Sequence, residues 1–227
     1  ECDIALVVGV GILGFNTGIN TATASMTSKD GKCHTFDESA NGYCRGEGCG
    51  ALILKRAEDS IRDGNKVYAT VCGSAVMQDG KSASLTAPNG LAQQELYRSC
   101  LADARLSAND VSYIEAHGTG TPLGDPIETE SIAAVYGSSA GRDESHPLQV
   151  SSIKANIGHL EAAAGVAGIL SAIVTLQKGM AAPNANLHTM NPKVAATIKD
   201  QNISLPTELI PLVASRTRCT ETDDLVA

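Results

Sequence analysis

The sequence predicts an α/β fold in which helices cover a mostly parallel sheet. Strand-like and helix-like segments alternate in the second half of the chain, at residues 111–116, 125–136, 148–153 and 159–178. Parallel neighbours require crossover connections, which helices supply, so this alternation favours a parallel sheet. Composition agrees, since Gly and Ala are abundant, aromatic residues make up only 3% and Trp is absent. Such a composition is typical of closely packed aliphatic layers.

The first half of the chain is predicted to contain strands separated by glycine-rich loops. Residues 4–8 form a continuous apolar run, as expected of a central strand covered on both faces. Four glycines lie at 42–50, before a strand predicted at 51–54, and a third strand is predicted at 67–76. Asn89 is a candidate N-cap for a helix that ends near residue 106.

Two later helices carry recognisable start or stop signals. Asp125 is predicted to cap the helix at 125–136, with Pro126 at its first position and Glu128 closing a capping box. Gly179 is predicted to stop the helix that begins near His159.

Charge and hydropathy exclude several classes of function. The net charge is −8, and the seventeen Lys and Arg residues form no basic run, which argues against nucleic-acid binding. The apolar stretch 162–174 is shorter than the ~20 residues that a membrane span needs, so it is predicted to be a buried helix. No targeting pattern is visible, and a cytoplasmic location is expected. The first residue is Glu1 rather than Met, which suggests a fragment.

Two histidines lie among small, turn-forming residues and are the candidate catalytic groups. His117 follows a predicted strand, where open α/β sheets place their ligands. The hydroxyls of Thr119 and Thr121 in the next loop suit a polar, amide-containing substrate arm. A purely structural turn around a hydrogen-bonded histidine remains an alternative for this segment.

His159 is predicted to lie at the N-terminus of an apolar helix. The positive end of the helix dipole would lower its pKa, and a neutral imidazole can donate a hydrogen bond to a developing oxyanion. If Lys154 and Glu128 meet nearby, the lysine would stay charged and the pair could hold His159 in place. The alternatives are a capping role for Glu128 and a surface position for Lys154.

A dinucleotide site is a weaker interpretation of the N-terminal glycines. Gly9, Gly11 and Gly14 follow a strand and formally match the fingerprint, but no amphipathic helix of the right length follows. Asp30 lies in a turn and not at the end of a second strand. An NAD-dependent oxidoreductase therefore stays a minor alternative.

A zinc site is equally weak, and no metal is expected. The spacing of its candidate ligands fits no common pattern. These ligands would be Cys33, His34, Cys44 and Cys49.

Four segments together resemble the signatures of the β-ketoacyl synthases. The segments 115–128 (EAHGTGTPLGDPIE) and 152–165 (SIKANIGHLEAAAG) resemble that family's two histidine motifs. The segments 42–48 (GYCRGEG) and 78–90 resemble two further signatures, in the same order along the chain. The resemblance is greatest to the ketosynthase domains of modular type I polyketide synthases.

The resemblance implies a thiolase-like fold of layered α-β-α-β-α type, present here in part. Residues 1–66 would form the end of the N-terminal half and residues 67–212 most of the C-terminal half. Residues 213–227 do not resemble the strands and the Gly-Phe-Gly-Gly-Thr-Asn-Ala-His segment expected there, so an irregular tail is predicted.

The resemblance also implies a reaction, a decarboxylative Claisen condensation of acyl and malonyl-type thioesters in polyketide or fatty acid biosynthesis. Substrates would arrive on the phosphopantetheine of an acyl carrier protein, with no cofactor bound directly. Neighbouring synthase domains and a second copy of the chain would be further partners, without nucleic acid or membrane. The matching residues are His117 and His159 as oxyanion donors, Lys154 and Glu128 as their charged support, and Thr119 and Thr121 as contacts to the phosphopantetheine arm.

One departure from the family concerns the nucleophile. The family's cysteine lies in an Asp-Thr-Ala-Cys-Ser-Ser type motif, and none of the seven cysteines has that context. The resemblance places it upstream of Glu1. The alternative is a ketosynthase-like scaffold without catalytic activity, or a truncated remnant.

Overall fold

The computed structural model describes residues 2–23, 25–80, 82 and 87–213 as a mixed α/β protein. The helices and strands are β1 (Ile4–Gly11), α1 (Phe15–Thr23), β2 (Gly48–Lys55), α2 (Ala57–Arg62), α3 (Gly90–Ala104), β3 (Tyr113–Glu115), α4 (Gly124–Tyr136), β4 (Leu148–Ser151), α5 (Lys154–Ile157), α6 (Ala164–Lys178), β5 (Met180–Ala181), α7 (Pro192–Ile198), β6 (Ile203–Ser204) and β7 (Ile210–Pro211). The predicted tail lies outside the described residues, apart from Val213.

A parallel sheet in the order β3-β4-β6 forms the centre of the second half, as the alternation of elements predicts. All four residues of β4, the central strand of this sheet, are buried. Leu148 and Val150 of this strand pack with Ile132 and Val135 of α4 in the hydrophobic core. In this sheet, β3 ends two residues before His117, and β4 ends three residues before Lys154.

Strands β1 and β2 form a separate antiparallel pair whose glycines allow close packing. A Cβ added to Gly11 would lie 2.2 Å from the carbonyl oxygen of Leu160, and one added to Gly50 would lie 2.6 Å from Cγ1 of Val166. The pair therefore lies directly against the segment that carries His159. A small residue at these positions is a packing requirement.

The prediction that β1 is covered on both faces is wrong for the described residues. Alternate side chains project away from the packed face, and Leu6 and Val8 are 68% and 52% exposed. Side chains alternate between the two faces of a strand, so packing against the His159 segment covers only one of them. The other face is a largely apolar surface.

The strand predicted at 67–76 is also not formed. Residues 66–80 contain no helix or strand, and Val71 and Val76 are 72% and 98% exposed. A β-branched composition favours an extended chain, but a strand is stable only with a hydrogen-bonded neighbour.

The helix predictions are largely confirmed, with one shift that affects the site. Asn89 caps α3, since its side-chain oxygen accepts hydrogen bonds from the amides of Leu91 and Ala92. Gly179 ends α6 in the left-handed conformation, at φ 61°. However, α6 begins at Ala164, so His159 does not lie at its N-terminus. Within the described residues, no helix combines the length and apolar character that a membrane span requires.

Candidate active site

His117 and His159, from two different loops, meet at one place. Their ring centroids are 5.8 Å apart and the rings are nearly perpendicular, at 86°. His117 follows β3, and His159 follows α5. His117 is exposed and His159 is half-buried, so the pair opens to solvent on the His117 side.

The backbone at His117 is held by a buried carboxylate. Glu128 accepts hydrogen bonds from the amide of His117 at 2.6 Å and from the amide of Gly118 at 2.8 Å. Burial raises the pKa of Glu128, while these two amides and the charge of Lys154 oppose the rise. The predicted capping box is wrong, because the carboxylate reaches back to the start of the loop between β3 and α4, and Leu123 occupies the N-cap of α4 without a side-chain bond.

A second buried carboxylate orders the loop that carries the two threonines. Asp125 accepts hydrogen bonds from the amides of Gly120 and Thr121, and also from the amide of Phe36 at 2.8 Å. Burial raises the pKa of Asp125 to about 7, against the effect of these three donors. Asp125 is the second residue of α4, so it also does not act as the predicted cap.

The threonine hydroxyls lie close together in the loop that follows His117. Their oxygens are 3.4 Å apart, and Thr121 Oγ1 accepts a hydrogen bond from the amide of Gly124. Thr119 is 6% exposed and Thr121 is half-buried. Of the two, Thr121 is therefore the more accessible to a substrate arm.

The tautomer of His159 follows from its own loop. The amide of Glu161 donates to Nδ1 of His159 at 2.9 Å, so in the neutral ring the proton resides on Nε2. The backbone amide of His159 donates to the carbonyl of Cys44 at 2.7 Å, and its carbonyl accepts from the amide of Gly46 at 2.9 Å. His159 is therefore a hydrogen-bond donor with a fixed backbone.

Both imidazoles are neutral at neutral pH. Burial, followed by repulsion from Lys154 and His117, lowers the pKa of His159 to about 4. Although His117 is exposed as a residue, the protein atoms packed around its ring partly desolvate it, and this desolvation, followed by the charge of Lys154, lowers its pKa. The predicted direction for His159 is confirmed, but desolvation replaces the helix dipole as its cause.

Lys154 is a buried residue near both histidines and is not a surface ammonium. Its side chain is 6% exposed, and burial lowers its pKa while the charges of Glu115 and Glu128 raise it. No ion pair joins Lys154 to Glu128 among the ion pairs of the described residues. The prediction that this pair holds His159 is wrong, because Glu128 instead holds the His117 loop.

Glu115 is a site residue that the sequence interpretation did not select. Its carboxylate accepts hydrogen bonds from the amide of Ile153, the hydroxyl of Tyr113 and the hydroxyl of Ser171, at 2.6, 2.7 and 2.9 Å. It thus connects the end of β3 to the turn that leads to Lys154. Glu115 could have been identified from the sequence, because it is a carboxylate at the end of a predicted strand and lies two residues before His117.

Arg45 and Glu161 form a second unpredicted feature beside His159. Arg45 Nε and Nη2 donate to the two carboxylate oxygens of Glu161, at 2.6 and 3.0 Å. The ring of Tyr43 lies 5.1 Å from the ring of His159. Both Tyr43 and Arg45 belong to the glycine-rich signature at 42–48, whose chemical role the sequence alone did not indicate.

The structure gives other roles to the residues of the two minor alternatives. The amide of Cys44 donates to Cys33 Sγ at 3.1 Å, and His34 pairs with Asp30. The part of the chain that the structure describes contains no group of three or more metal-ligating side chains. Gly9 and Gly11 pack against residues 160–166, so packing accounts for them without a dinucleotide.

Family models match most of the chain. The β-ketoacyl synthase C-terminal domain matches residues 68–188, and the N-terminal domain of the same enzymes matches residues 1–60. The chain belongs to the β-ketoacyl synthase family. Its fold is the thiolase-like fold, since it superimposes on the ketosynthase from module 6 of the bacillaene synthase of Bacillus subtilis 168 with a TM-score of 0.85 and 36% identity.

Relatives of this ketosynthase chain are polyketide synthases. It is 48% identical over 194 residues to a phenolphthiocerol/phthiocerol polyketide synthase of Mycobacterium tuberculosis. It is 46% identical over 215 residues to the 6-methylsalicylic acid synthase of Aspergillus niger. These alignments cover 85% and 93% of the chain but only 9% and 12% of the relatives, and the bacillaene alignment covers 92% of the chain and 37% of that ketosynthase.

Proposed function

We propose that this chain is the histidine-bearing part of a polyketide synthase ketosynthase, which catalyses decarboxylative Claisen condensation. The observation that supports this most directly is the meeting of two neutral imidazoles, one of which carries its proton on Nε2. Neutral donors suit a reaction in which negative charge develops on a thioester oxygen. A neutral imidazole can donate a hydrogen bond to this oxygen without transferring its proton to it.

The proposed reaction has two steps, decarboxylation and condensation, and these donors serve the enolate that links them. The bond between the malonyl carboxylate and the α-carbon breaks, carbon dioxide leaves, and its electron pair forms an enolate whose oxygen accepts from His117 and His159. The enolate carbon then attacks the carbonyl of an acyl-cysteine thioester, so that a carbon–carbon bond forms and the thiolate leaves. Each preorganised donor typically contributes about 10²–10³ in rate.

The surrounding residues receive supporting roles in this proposal. Glu128 holds the backbone of His117, and Lys154 disfavours the protonation of both rings. Thr119 and Thr121 contact the phosphopantetheine arm, with Thr121 the more exposed of the two. The acyl-carrying cysteine comes from sequence outside the 227 residues, because none of the seven cysteines has the motif context.

The proposed partners are an acyl carrier protein, neighbouring synthase domains and a second copy of the chain. The apolar outer face of β1 and β2 supports the presence of a covering partner, since Leu6, Val8 and Ile53 are 68%, 52% and 75% exposed. The proposal assigns substrates to phosphopantetheine and requires no resident cofactor. Analytical ultracentrifugation of the natural full-length polypeptide tests the dimer.

The test of function is malonyl decarboxylation by the natural full-length polypeptide that contains this chain. Wild-type protein is expected to release carbon dioxide from a malonyl-carrier thioester, whereas His117→Ala and His159→Ala are each expected to lose about 10²–10³ of the rate. His188→Ala is the control, since His188 is exposed. Unchanged decarboxylation in both site variants contradicts the proposed roles. A wild-type protein without activity indicates the scaffold alternative instead.

A further inference from the structure

The ion pair between Arg45 and Glu161 lies on the residue that sets the tautomer of His159. The amide of Glu161 donates to His159 Nδ1 at 2.9 Å, and the side chain of the same residue pairs with Arg45. Glu161 therefore makes two contacts: its amide sets which nitrogen of His159 carries the proton, and its carboxylate binds Arg45, which is distant in sequence.

Glu161 has a backbone conformation that needs external support. Its φ is +50°, in the left-handed region that residues with a Cβ occupy at an energetic cost. The short 3-10 turn Glu161–Ala163 starts from this residue. Glycine would adopt the conformation more easily, so the presence of Glu indicates that the side chain has a use.

The geometry of the ion pair supplies that support. Arg45 Nε and Nη2 contact separate carboxylate oxygens at 2.6 and 3.0 Å, which is the two-point geometry that fixes orientation as well as distance. The Arg45 side chain is only 10% exposed, and that of Glu161 is 34% exposed. The bond to Arg45 lowers the pKa of Glu161, so the carboxylate stays charged at neutral pH.

Arg45 is itself fixed relative to His159 by the backbone. Its neighbours on either side, Cys44 and Gly46, exchange hydrogen bonds with the amide and the carbonyl of His159, at 2.7 and 2.9 Å. The segment 44–46 thus holds His159 from the backbone side, and the Arg45 side chain holds Glu161 from the ring side. The backbone of His159 and, through Glu161, its ring nitrogen Nδ1 are therefore both positioned by residues 44–46.

We infer that Arg45 and Glu161 are positioning residues that keep the proton of His159 on Nε2 and its ring in donor orientation. The expected effect on the decarboxylation rate rests on the proposed function, whereas the expected effect on the tautomer of His159 does not. Neither residue is required to touch substrate. Loss of either would free the Glu161 amide and allow His159 to populate the other tautomer, in which the donor is on the wrong nitrogen.

The structural test is nitrogen-15 NMR of the histidine rings, on the 227-residue chain and on the natural full-length polypeptide, with His159→Gln to assign the signal. Wild-type His159 is expected to be the Nε2–H tautomer alone. Glu161→Ala and Arg45→Met are expected to give mixed tautomers. Glu161→Gly relieves the backbone strain while removing the contact to Arg45. It is therefore expected to fold and to contain some of the other His159 tautomer, but less of it than Glu161→Ala. Controls are Glu144→Ala and Arg98→Met, both exposed.

The kinetic test is the decarboxylation rate of the full-length variants. A misplacement of ~1 Å can cost up to about a hundredfold, so kcat is expected to fall about tenfold or more in Glu161→Ala and Arg45→Met, with KM unchanged. The double variant is expected to be no worse than either single one, because both remove the same anchor. Arg45→Lys keeps the charge but not the two-point contact, so its kcat is expected to be little higher than that of Arg45→Met.

Two results overturn the inference. One is an unchanged tautomer and kcat in folded Glu161→Gly and Arg45→Met, and the other is additive losses in the double variant. If His159→Ala abolishes decarboxylation while the Arg45 and Glu161 variants match wild type, only this inference fails. If wild type does not decarboxylate, the proposed function fails, and the tautomer measurement still decides whether the ion pair positions His159.

Discussion

The ring of His117 meets the ring of His159 edge-on, with centroids 5.8 Å apart. Each ring sits on a loop whose backbone is held from elsewhere, His117 by Glu128 and His159 by the segment 44–46. These contacts hold the main chain at both residues, and the amide of Glu161 also holds the His159 ring at Nδ1, which leaves Nε2 of that ring as the donor. Such preorganisation allows donors to stabilise charge without rearranging during the reaction.

Replacing Glu128 with Gln is expected to destabilise the protein by about 1–3 kcal/mol, because a buried charged acceptor of two amides becomes a neutral group with one acceptor atom. One of the two amides would then face an NH₂ group. The free energy of unfolding in urea measures the loss. Glu130→Gln, on the exposed side of the same helix, is the control and is expected to match wild type. A Glu128→Gln protein as stable as wild type contradicts the proposed holding role.

The depressed pKa of His159 predicts a specific dependence of stability on pH. The folded pKa is about 4 and the unfolded value about 6.5. Between these values the unfolded chain binds more protons, so this contribution is present above pH 6.5 and is lost as pH falls towards 4. His159→Gln is expected to lack it.

The measurement is the difference in free energy of unfolding between wild type and His159→Gln, from pH 4 to pH 7. This difference isolates His159 from the buried carboxylates, whose raised pKa values act in the opposite direction. His188→Gln serves as the control, since His188 is an exposed histidine. A difference that does not change with pH would show that His159 titrates normally.

Removing the charge of Lys154 is expected to raise the pKa of both site histidines. The ammonium disfavours their protonated forms, and its loss in Lys154→Met leaves burial as the main cause of the depression. Histidine titration by NMR measures both values. Lys178→Met, an exposed lysine near the end of α6, is expected to leave them unchanged. A lowered pKa in Lys154→Met would contradict the electrostatic account.

Replacing Gly11 with Ala is expected to destabilise the protein by about 1–3 kcal/mol through overpacking. The added Cβ would lie 2.2 Å from the carbonyl oxygen of Leu160, and backbone on one side or the other must move. Because Leu160 follows His159, the decarboxylation rate is expected to fall as well. Urea unfolding and the decarboxylation assay measure the two effects.

Gly165→Ala is the matched comparison for that change. A Cβ at Gly165 would meet no atom within 4 Å, and this residue is the second of α6. Alanine favours helix over glycine by up to about 1 kcal/mol, so this variant is expected to be as stable as wild type or more stable. Equal losses in the two alanine variants would contradict the packing account of Gly11.

The sequence predicted the elements whose signals are local. The Asn89 cap and the Gly179 stop follow from short patterns, and the structure contains both. The four motif segments also predicted the family and the candidate histidines. Local signals are readable because a cap or a turn depends on residues a few positions apart.

The errors occurred where a residue acts across the fold. Glu128 matches a capping box, yet its carboxylate accepts from the amides of His117 and Gly118, at the far end of the loop that precedes its helix and beyond the three-residue reach of a capping box. Residues 67–76 have strand composition, but without a hydrogen-bonded neighbour they form no strand. The burial of β1 likewise depends on which of its two faces other segments cover, and residue types along the strand do not specify this.

The sequence by itself determined the family and the α/β class and indicated the two candidate histidines, because these follow from residue types at fixed spacings. Tertiary structure alone decided that the rings meet, that burial sets the pKa of His159 and that its proton lies on Nε2. It also paired Arg45 with Glu161. Distances between remote segments, desolvation and the orientation of a single amide are properties of the packed molecule. No pattern along the chain encodes them locally.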